Sequence, residues 1–134
     1  MAYLLDTNIV SLALRNNFKV TAEIAQLKSQ RQILSISCVT YFEVKRGLFA
    51  VKAIKQLERF DNFCRDYQII FLDDLAILEK AAEIHVNLKL RGLPIQTEDI
   101  LIAATAIVKG FILVSHDSDL LRVEELTLEN WLEE

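Results

Sequence analysis

The chain has 134 residues, a length that accommodates one domain with one core, and combines 52% hydrophobic and 25% charged residues with a formal net charge of -4. That composition excludes a disordered chain, and the negative balance excludes a protein that coats nucleic acid through bulk charge. The longest apolar stretch, Ile100 to Val108 interrupted by Thr105, falls well below the roughly 20 residues of a membrane span, so no span is expected.

The first residues, Met-Ala-Tyr-Leu-Leu-Asp, lack the basic start and small-residue cleavage site of a secretory signal, and a cytoplasmic protein is expected. Ala2–Leu5 is a short apolar run bounded by polar residues, the pattern of a strand buried on both faces. Asp6 ends it. A helical stretch follows, and a second one carries Ile24 and Leu27 at helical spacing. Ile33–Ile36 reads as the second strand, and Glu43 lies in the helix after it. Ile54, Leu57 and Phe60 mark a further helix, Gln68–Leu72 a third strand, and Asp73-Asp74 the cap of the helix that follows. In that helix Ile77, Leu78, Ala81, Ala82, His85 and Leu88 read as one apolar face, which makes His85 a core histidine.

Glycine and proline are scarce, three and one, and each is read as punctuation. Gly47, Gly92 and Gly110 follow helix-like stretches, as left-handed C-terminal caps do, and Pro94 sits just past Gly92. Asp99 opens the next helix. Phe111–Val114 is the last strand expected, and Asp117 follows it in Ser-His-Asp-Ser-Asp-Leu. Cys38 and Cys64 are expected to be unpaired, buried thiols, with too few Cys and His neighbours for a zinc site.

Strands alternating with helices imply an α/β fold with a parallel sheet covered on both sides. Right-handed crossovers then put all strand ends on one edge of the sheet, where such folds collect ligands. Asp6 and Asp117 fall on that edge, and helix starts adjoin it, so Glu43 and Asp99 can join them in one cleft. Clustered carboxylates repel, and a bound cation resolves the conflict. Hard oxygen ligands favour Mg²⁺ or Mn²⁺, which can polarise a phosphodiester and acidify an attacking water. Each acid also has a duller reading. Asp6 and Asp117 suit helix caps, with Asp119 as a second candidate beside Asp117; Asp99 suits a first-turn charge and Glu43 an exposed helical acid.

Between Lys45 and Arg65 six bases face two acids, a local charge of +4, while Asp117 to Glu134 holds seven acids against Arg122, or -6. The basic stretch suits phosphate contacts, with Lys45 and Arg46 the foremost candidates, or else a solvated helix face. Thr7, Asn8 and Ser115 are placed to hydrogen-bond the acids or to serve turns and caps. His116 reads as a solvent-facing turn residue rather than a general acid. Phe42, Phe49, Phe60 and Phe63 supply aromatic area for the core or for a partner surface, and Trp131 either docks the tail or adds to that surface.

Leu4-Leu5-Asp6-Thr7-Asn8, Ser37 through Glu43 to Gly47, Asp99-Ile100-Leu101-Ile102-Ala103-Ala104, Leu113-Val114-Ser115-His116-Asp117-Ser118-Asp119 and Leu128-Glu129-Asn130-Trp131 together resemble the PIN-domain ribonucleases. The likeness is closest to the VapC toxins of type II toxin-antitoxin pairs and covers essentially all of residues 1–134 as a single PIN domain. It departs at Leu120, where an aromatic is common. The resemblance implies a three-layer α/β/α fold and a Mg²⁺- or Mn²⁺-dependent endoribonuclease. It implies a homodimer and a small VapB-like antitoxin as partner. It also assigns Asp6 and Asp99 as principal metal ligands, Glu43 as a third acid that binds metal or orients water, and Asp117 as the fourth. Two related architectures fit less well. A receiver domain wants paired acids after the first strand and a lysine at a later strand end, and a haloacid-dehalogenase phosphatase wants a second acid where Asn8 stands. A DNA-cutting relative and a catalytically silent interaction module remain the alternatives.

Overall fold

The structure, a computed structural model, describes residues 1–132. Strand β1 (Ala2–Leu5) leads into helices α1 (Thr7–Leu14) and α2 (Phe18–Ser29), and β2 (Ile33–Ser37) into α3 (Cys38–Ala50) and α4 (Ile54–Arg65). After β3 (Gln68–Ile70) come α5 (Leu75–Leu90) and α6 (Thr97–Lys109), then β4 (Ile112–Val114), a 3₁₀ turn (Ser118–Arg122) and β5 (Leu128–Glu129). The strands form one sheet in the order β3-β2-β1-β4-β5, every pairing parallel.

Strand order reverses about β1. The chain first grows outward from β1 to β2 and β3 and then returns across the sheet to place β4 on the other side of β1. Right-handed crossovers in opposite directions lay their helices on opposite faces. Accordingly, Tyr3 and Leu5 of β1 pack with α1, α2 and Phe60 of α4, whereas Leu4, pointing the other way, packs with Ile77, Ala81 and Leu88 of α5 and Ile100 and Ile102 of α6. β4 alternates likewise, with Ile112 and Val114 on the first face and Leu113 on the second. The three-layer expectation therefore holds, and the reversal opens a crevice at the ends of β1 and β4.

The structure corrects several local expectations. Gly47 does not cap a helix but lies inside α3, where an added Cβ would meet nothing within 4 Å, whereas Gly92 and Gly110 take left-handed φ values of 70° and 71°. The buried face of α5 is Ile77, Ala81, Ile84 and Leu88; Leu78 is half-exposed, and Ala82 and His85 point to solvent. Leu78, Ala82 and His85 each lie one residue past Ile77, Ala81 and Ile84 around the helix, which turns them off the buried face. Gln68–Leu72 shortens to Gln68–Ile70, and β5, only two residues long, had no signal of its own. Both cysteines are unpaired, but each is only partly buried. Asp74 caps α5 by accepting from Ala76 N at 2.9 Å.

The four phenylalanines divide. Phe60 is fully buried and Phe63 half-buried, stacking on Tyr67 at 4.0 Å between ring centroids, while Phe42 and Phe49 are exposed. Trp131 packs against the first core cluster and donates from Nε1 to Glu129 Oε1 at 3.2 Å, so it docks the tail.

Candidate active site

Four chain segments meet where strand order reverses: the β1–α1 junction, α3, the start of α6 and the stretch after β4. Asp6 leaves β1 in extended conformation and caps α1, its Oδ1 accepting from Thr7 N at 2.8 Å. Its backbone N–H donates to Val114 O at 2.9 Å, which ties the end of β1 to the end of β4. Asp6 is only 3% exposed, and a buried charge needs donors. Ser115 supplies one through Oγ at 2.7 Å from Asp6 Oδ2, and Asn8 Nδ2 lies 3.4 Å from the same oxygen. Burial nevertheless wins, raising the Asp6 pKa against those hydrogen bonds, with Glu43 and Asp117 adding repulsion.

Ser115 is the junction of this network. Besides donating to Asp6, its oxygen accepts from Asn8 Nδ2 at 3.2 Å and from Asp117 N at 3.0 Å. Asn8 Oδ1 in turn accepts from His116 N at 3.1 Å. The residues singled out beside the acids, Thr7, Asn8 and Ser115, thus all contact the carboxylate machinery.

Glu43 reaches the crevice from the second turn of α3, because Ser37 at the end of β2 caps that helix by accepting from Val39 N at 3.0 Å. Its Oε1 accepts from Thr7 Oγ1 at 2.7 Å, and Thr7 Oγ1 lies 3.1 Å from Thr40 Oγ1. Thr40 is fully buried and was not singled out in the sequence. The signal was available, since Thr40 and Glu43 are three residues apart on one helix and therefore share a face.

Asp99 stands in the first turn of α6 on the other side of the sheet. It makes no hydrogen bond and no ion pair among the described residues, while Asp6, Asp117, Glu43 and Asp119 all lie close enough to repel it. Partial burial and that repulsion push its pKa up to about 7. The positive end of the helix dipole favours ionisation there but does not offset four neighbouring anions.

Asp117 begins the 3₁₀ turn, and its Oδ1 accepts from Asp119 N at 2.9 Å. Asp119 pairs with Arg122 at 3.3 Å, whereas Asp117 has no cation beside it among the described residues. Leu120, which stands where an aromatic is common, is 1% exposed and fills the second core cluster. His116 is exposed, as expected.

Asp6 and Asp99 each feel the charge of Glu43 and Asp117, yet among the described residues no three potential ligands are drawn tightly enough to enclose an ion by themselves. Carboxylates that repel one another without forming a tight ligand cage suit a cation that retains part of its water shell.

The basic candidates fare differently. Lys45 pairs with Asp61 at 2.7 Å and lies over the rings of Tyr41, Phe49 and Phe60 at 5.5, 5.8 and 5.8 Å. With its side chain only 18% exposed, it clamps α3 to α4 and is not free to hold phosphate. Arg46 is 61% exposed, 4.0 Å from Glu43 Oε2 and 5.1 Å from the Phe42 ring centroid. It remains available beside the acids.

A groove of about 430 Å³ runs from Thr7 and Glu43 between α1 and α3, past Leu14, Val44 and Leu48, to Val51. No helix among the described residues is long and apolar enough to cross a membrane.

Known proteins share this fold. Ribonuclease VapC1 of Haemophilus influenzae is 26% identical over 132 residues, covering 98% of each chain, and ribonuclease VapC2 of Rickettsia felis is 29% identical over 140 residues, again covering 98% of each. Among solved structures, VapBC2 of Rickettsia felis bound to a promoter DNA fragment superimposes with a TM-score of 0.90 at 27% identity, over 98% of this chain and 99% of that one. VapBC-1 of nontypeable Haemophilus influenzae gives 0.86 at 25% identity, over 99% and 100%. The sequence profile of the PIN domain matches residues 3–126, and the chain belongs to the PIN-domain family.

Proposed function

We propose that this chain is a metal-dependent endoribonuclease, the cytoplasmic toxin of a VapBC-type pair, and that Asp6, Glu43, Asp99 and Asp117 carry its chemistry. The observation that supports the reading most is Asp99, a carboxylate with four acids around it and no donor to compensate. A structural carboxylate would be held by hydrogen bonds, as Asp74 is. Left as it stands, this one costs stability, and such groups mark sites built for a missing positive charge.

The donor set fits Mg²⁺ or Mn²⁺. It consists of carboxylate oxygens without thiolate or imidazole, and small hard cations prefer oxygen and keep several waters. Asp6 and Asp99 are the proposed principal ligands, with Glu43 and Asp117 binding directly or through water. When bound, such a cation supplies positive charge to the phosphodiester and lowers the pKa of the attacking water. The protein's own part is alignment. Ser115 and Thr7 fix both oxygens of Asp6, Thr7 fixes Glu43, and Arg46 offers a cation at the rim for a neighbouring phosphate.

The related ribonucleases VapC1 and VapC2, and the VapBC complexes that match in structure, support RNA as substrate and a small antitoxin as partner. The groove that begins at Glu43 is the proposed seat of that partner, since Leu14, Val44, Leu48 and Val51 offer an apolar floor leading to the acids. Exposed Phe42 and Phe49 suit a homodimer or the same partner. Sequencing RNA fragment ends after induced expression of the wild type and of Asp6→Asn tests the activity. New ends present only with the wild type are expected. Purified protein that cleaves no RNA with Mg²⁺ or Mn²⁺ would leave a silent interaction module as the better reading, and metal-dependent cleavage of DNA alone would leave a DNA nuclease.

A further inference from the structure

A small pocket of about 120 Å³ opens beside the acids on the β4 side, lined by Ser115, His116, Asp117, Ser118, Leu121, Leu128 and Asn130. It shares Ser115 and Asp117 with the carboxylate network. Leu121 is 73% exposed at its rim, although the neighbouring Leu120 is buried. An apolar side chain held out in solvent next to a catalytic cleft suits contact with a flat, partly apolar ligand.

The polar groups of the pocket are held in place. Asn130 Oδ1 accepts from Leu132 N at 3.0 Å, which turns its amide nitrogen toward His116 Nδ1 at 3.4 Å. With Nδ1 accepting, the proton of the neutral ring sits on Nε2, and that N–H has no partner among the described residues. The His116 backbone is fixed as well, through Asn8, which also contacts Asp6 and Ser115. A histidine that only decorated a turn would need neither restraint.

We infer that His116, Asn130 and Leu121 form a subsite for one nucleobase flanking the scissile phosphate, and that this subsite sets the nucleotide preference of cleavage. The inference rests on the ribonuclease reading above and adds the means of substrate choice. Leu121 and Leu128 provide apolar contact for the ring, and His116 Nε2–H meets an acceptor on its edge. Bases that present acceptors there, such as guanine through O6 and N7, are favoured over edges that present an amino group. Because the pocket adjoins Asp117, a base seated in it delivers its own phosphate to the acids.

The test compares wild type, His116→Ala, His116→Phe and Leu121→Ala on a randomised RNA pool with Mn²⁺, mapping fragment ends and measuring kcat and KM on one well-cleaved oligonucleotide. Both positions are exposed, so folding is expected to survive, and Mn²⁺ binding by calorimetry serves as the control. For His116→Ala, the preference at one position next to the cut relaxes and KM for the preferred oligonucleotide rises about tenfold, more than kcat falls. His116→Phe keeps ring contact but loses the donor, so it binds RNA while still losing the choice of base. Fragment ends identical to wild type in all variants overturn the subsite while leaving the nuclease intact. A fall in kcat alone, with preference and KM retained, also overturns it, because His116 would then act in the chemistry. Wild-type protein that cuts no RNA removes both readings together.

Discussion

Replacing Asp99 with Asn separates a site built for a cation from an ordinary buried acid. An aspartate titrates near 3.8 in an unfolded chain, and this one is pushed up to about 7. The folded state therefore binds the proton more tightly than the unfolded state. Between pH 4 and 7 the unfolded chain gives up its proton first, so the contribution of Asp99 to stability falls as pH rises through that window and stays low above it. A shift of about three units corresponds to about 4 kcal/mol as a ceiling. Asp99 is only partly buried, and screening by water and salt reduces the figure to about 2 kcal/mol.

Asn removes the charge and keeps the shape. In EDTA at pH 8 the Asp99→Asn variant should be more stable than wild type by about 2 kcal/mol, roughly 6 °C in Tm for a domain of this size. At pH 4, close to the unfolded value, the gap should shrink to a few tenths of a kcal/mol. Adding Mn²⁺ at pH 8 should reverse the order, because wild type gains about 2.7 kcal/mol at a hundredfold excess over Kd and the variant gains little. Thermal unfolding followed by circular dichroism at both pH values, with EDTA and with Mn²⁺, provides all four comparisons. Equal or lower stability of the variant in EDTA at pH 8, or a gap that does not change with pH, would refute the electrostatic account of this site.

Other outcomes follow from the same geometry. Ser115→Ala removes the 2.7 Å donor to Asp6 and the acceptor for Asp117 N; denaturant unfolding should show a loss of about 1–3 kcal/mol, and cleavage should fall 10- to 100-fold. Gly47→Ala should raise stability by about 0.5–1 kcal/mol, since the residue sits in a helix with open space around the added methyl. Gly110→Ala, at φ 71°, should lower it by about 1 kcal/mol, and the two changes can be read in one urea series. Lys45→Ala should loosen α3 from α4 and reduce stability, while Arg46→Ala should leave stability within about 0.5 kcal/mol and raise KM for RNA with a flatter salt dependence.

Strands and sheet class were legible because parallel strands buried on both faces appear as unbroken apolar runs, and Ala2–Leu5 and Phe111–Val114 are such runs. β5 was not, because two residues held by pairing with β4 carry no periodicity. The face of α5 was misjudged because Leu78, Ala82 and His85 stand one residue past Ile77, Ala81 and Ile84, and only packing against its neighbours, chiefly α6, selects between them. Gly47 misled for a related reason. Glycine is a strong stop signal, but α3 continues past it because Leu48 and the Lys45 clamp still hold the helix in place. The acids could be grouped from the sequence because each stands at a strand end or helix start. Thr40 left a signal, three residues before Glu43 on one helix face, whereas Asn130 left none, since an amide near the tail is read as packing until the fold brings it beside His116.

One oxygen atom, Ser115 Oγ, spends its single proton on Asp6 and receives hydrogen bonds from Asn8 and from the backbone of Asp117. Its bonding capacity is full, so neither acid can shift without the other following. Strands that are distant in the chain are thereby given a common alignment, and errors in the last third of the sequence are transmitted to the sixth residue. Drift at Val114 or Ser115 should accordingly impair the nuclease even where every carboxylate is retained.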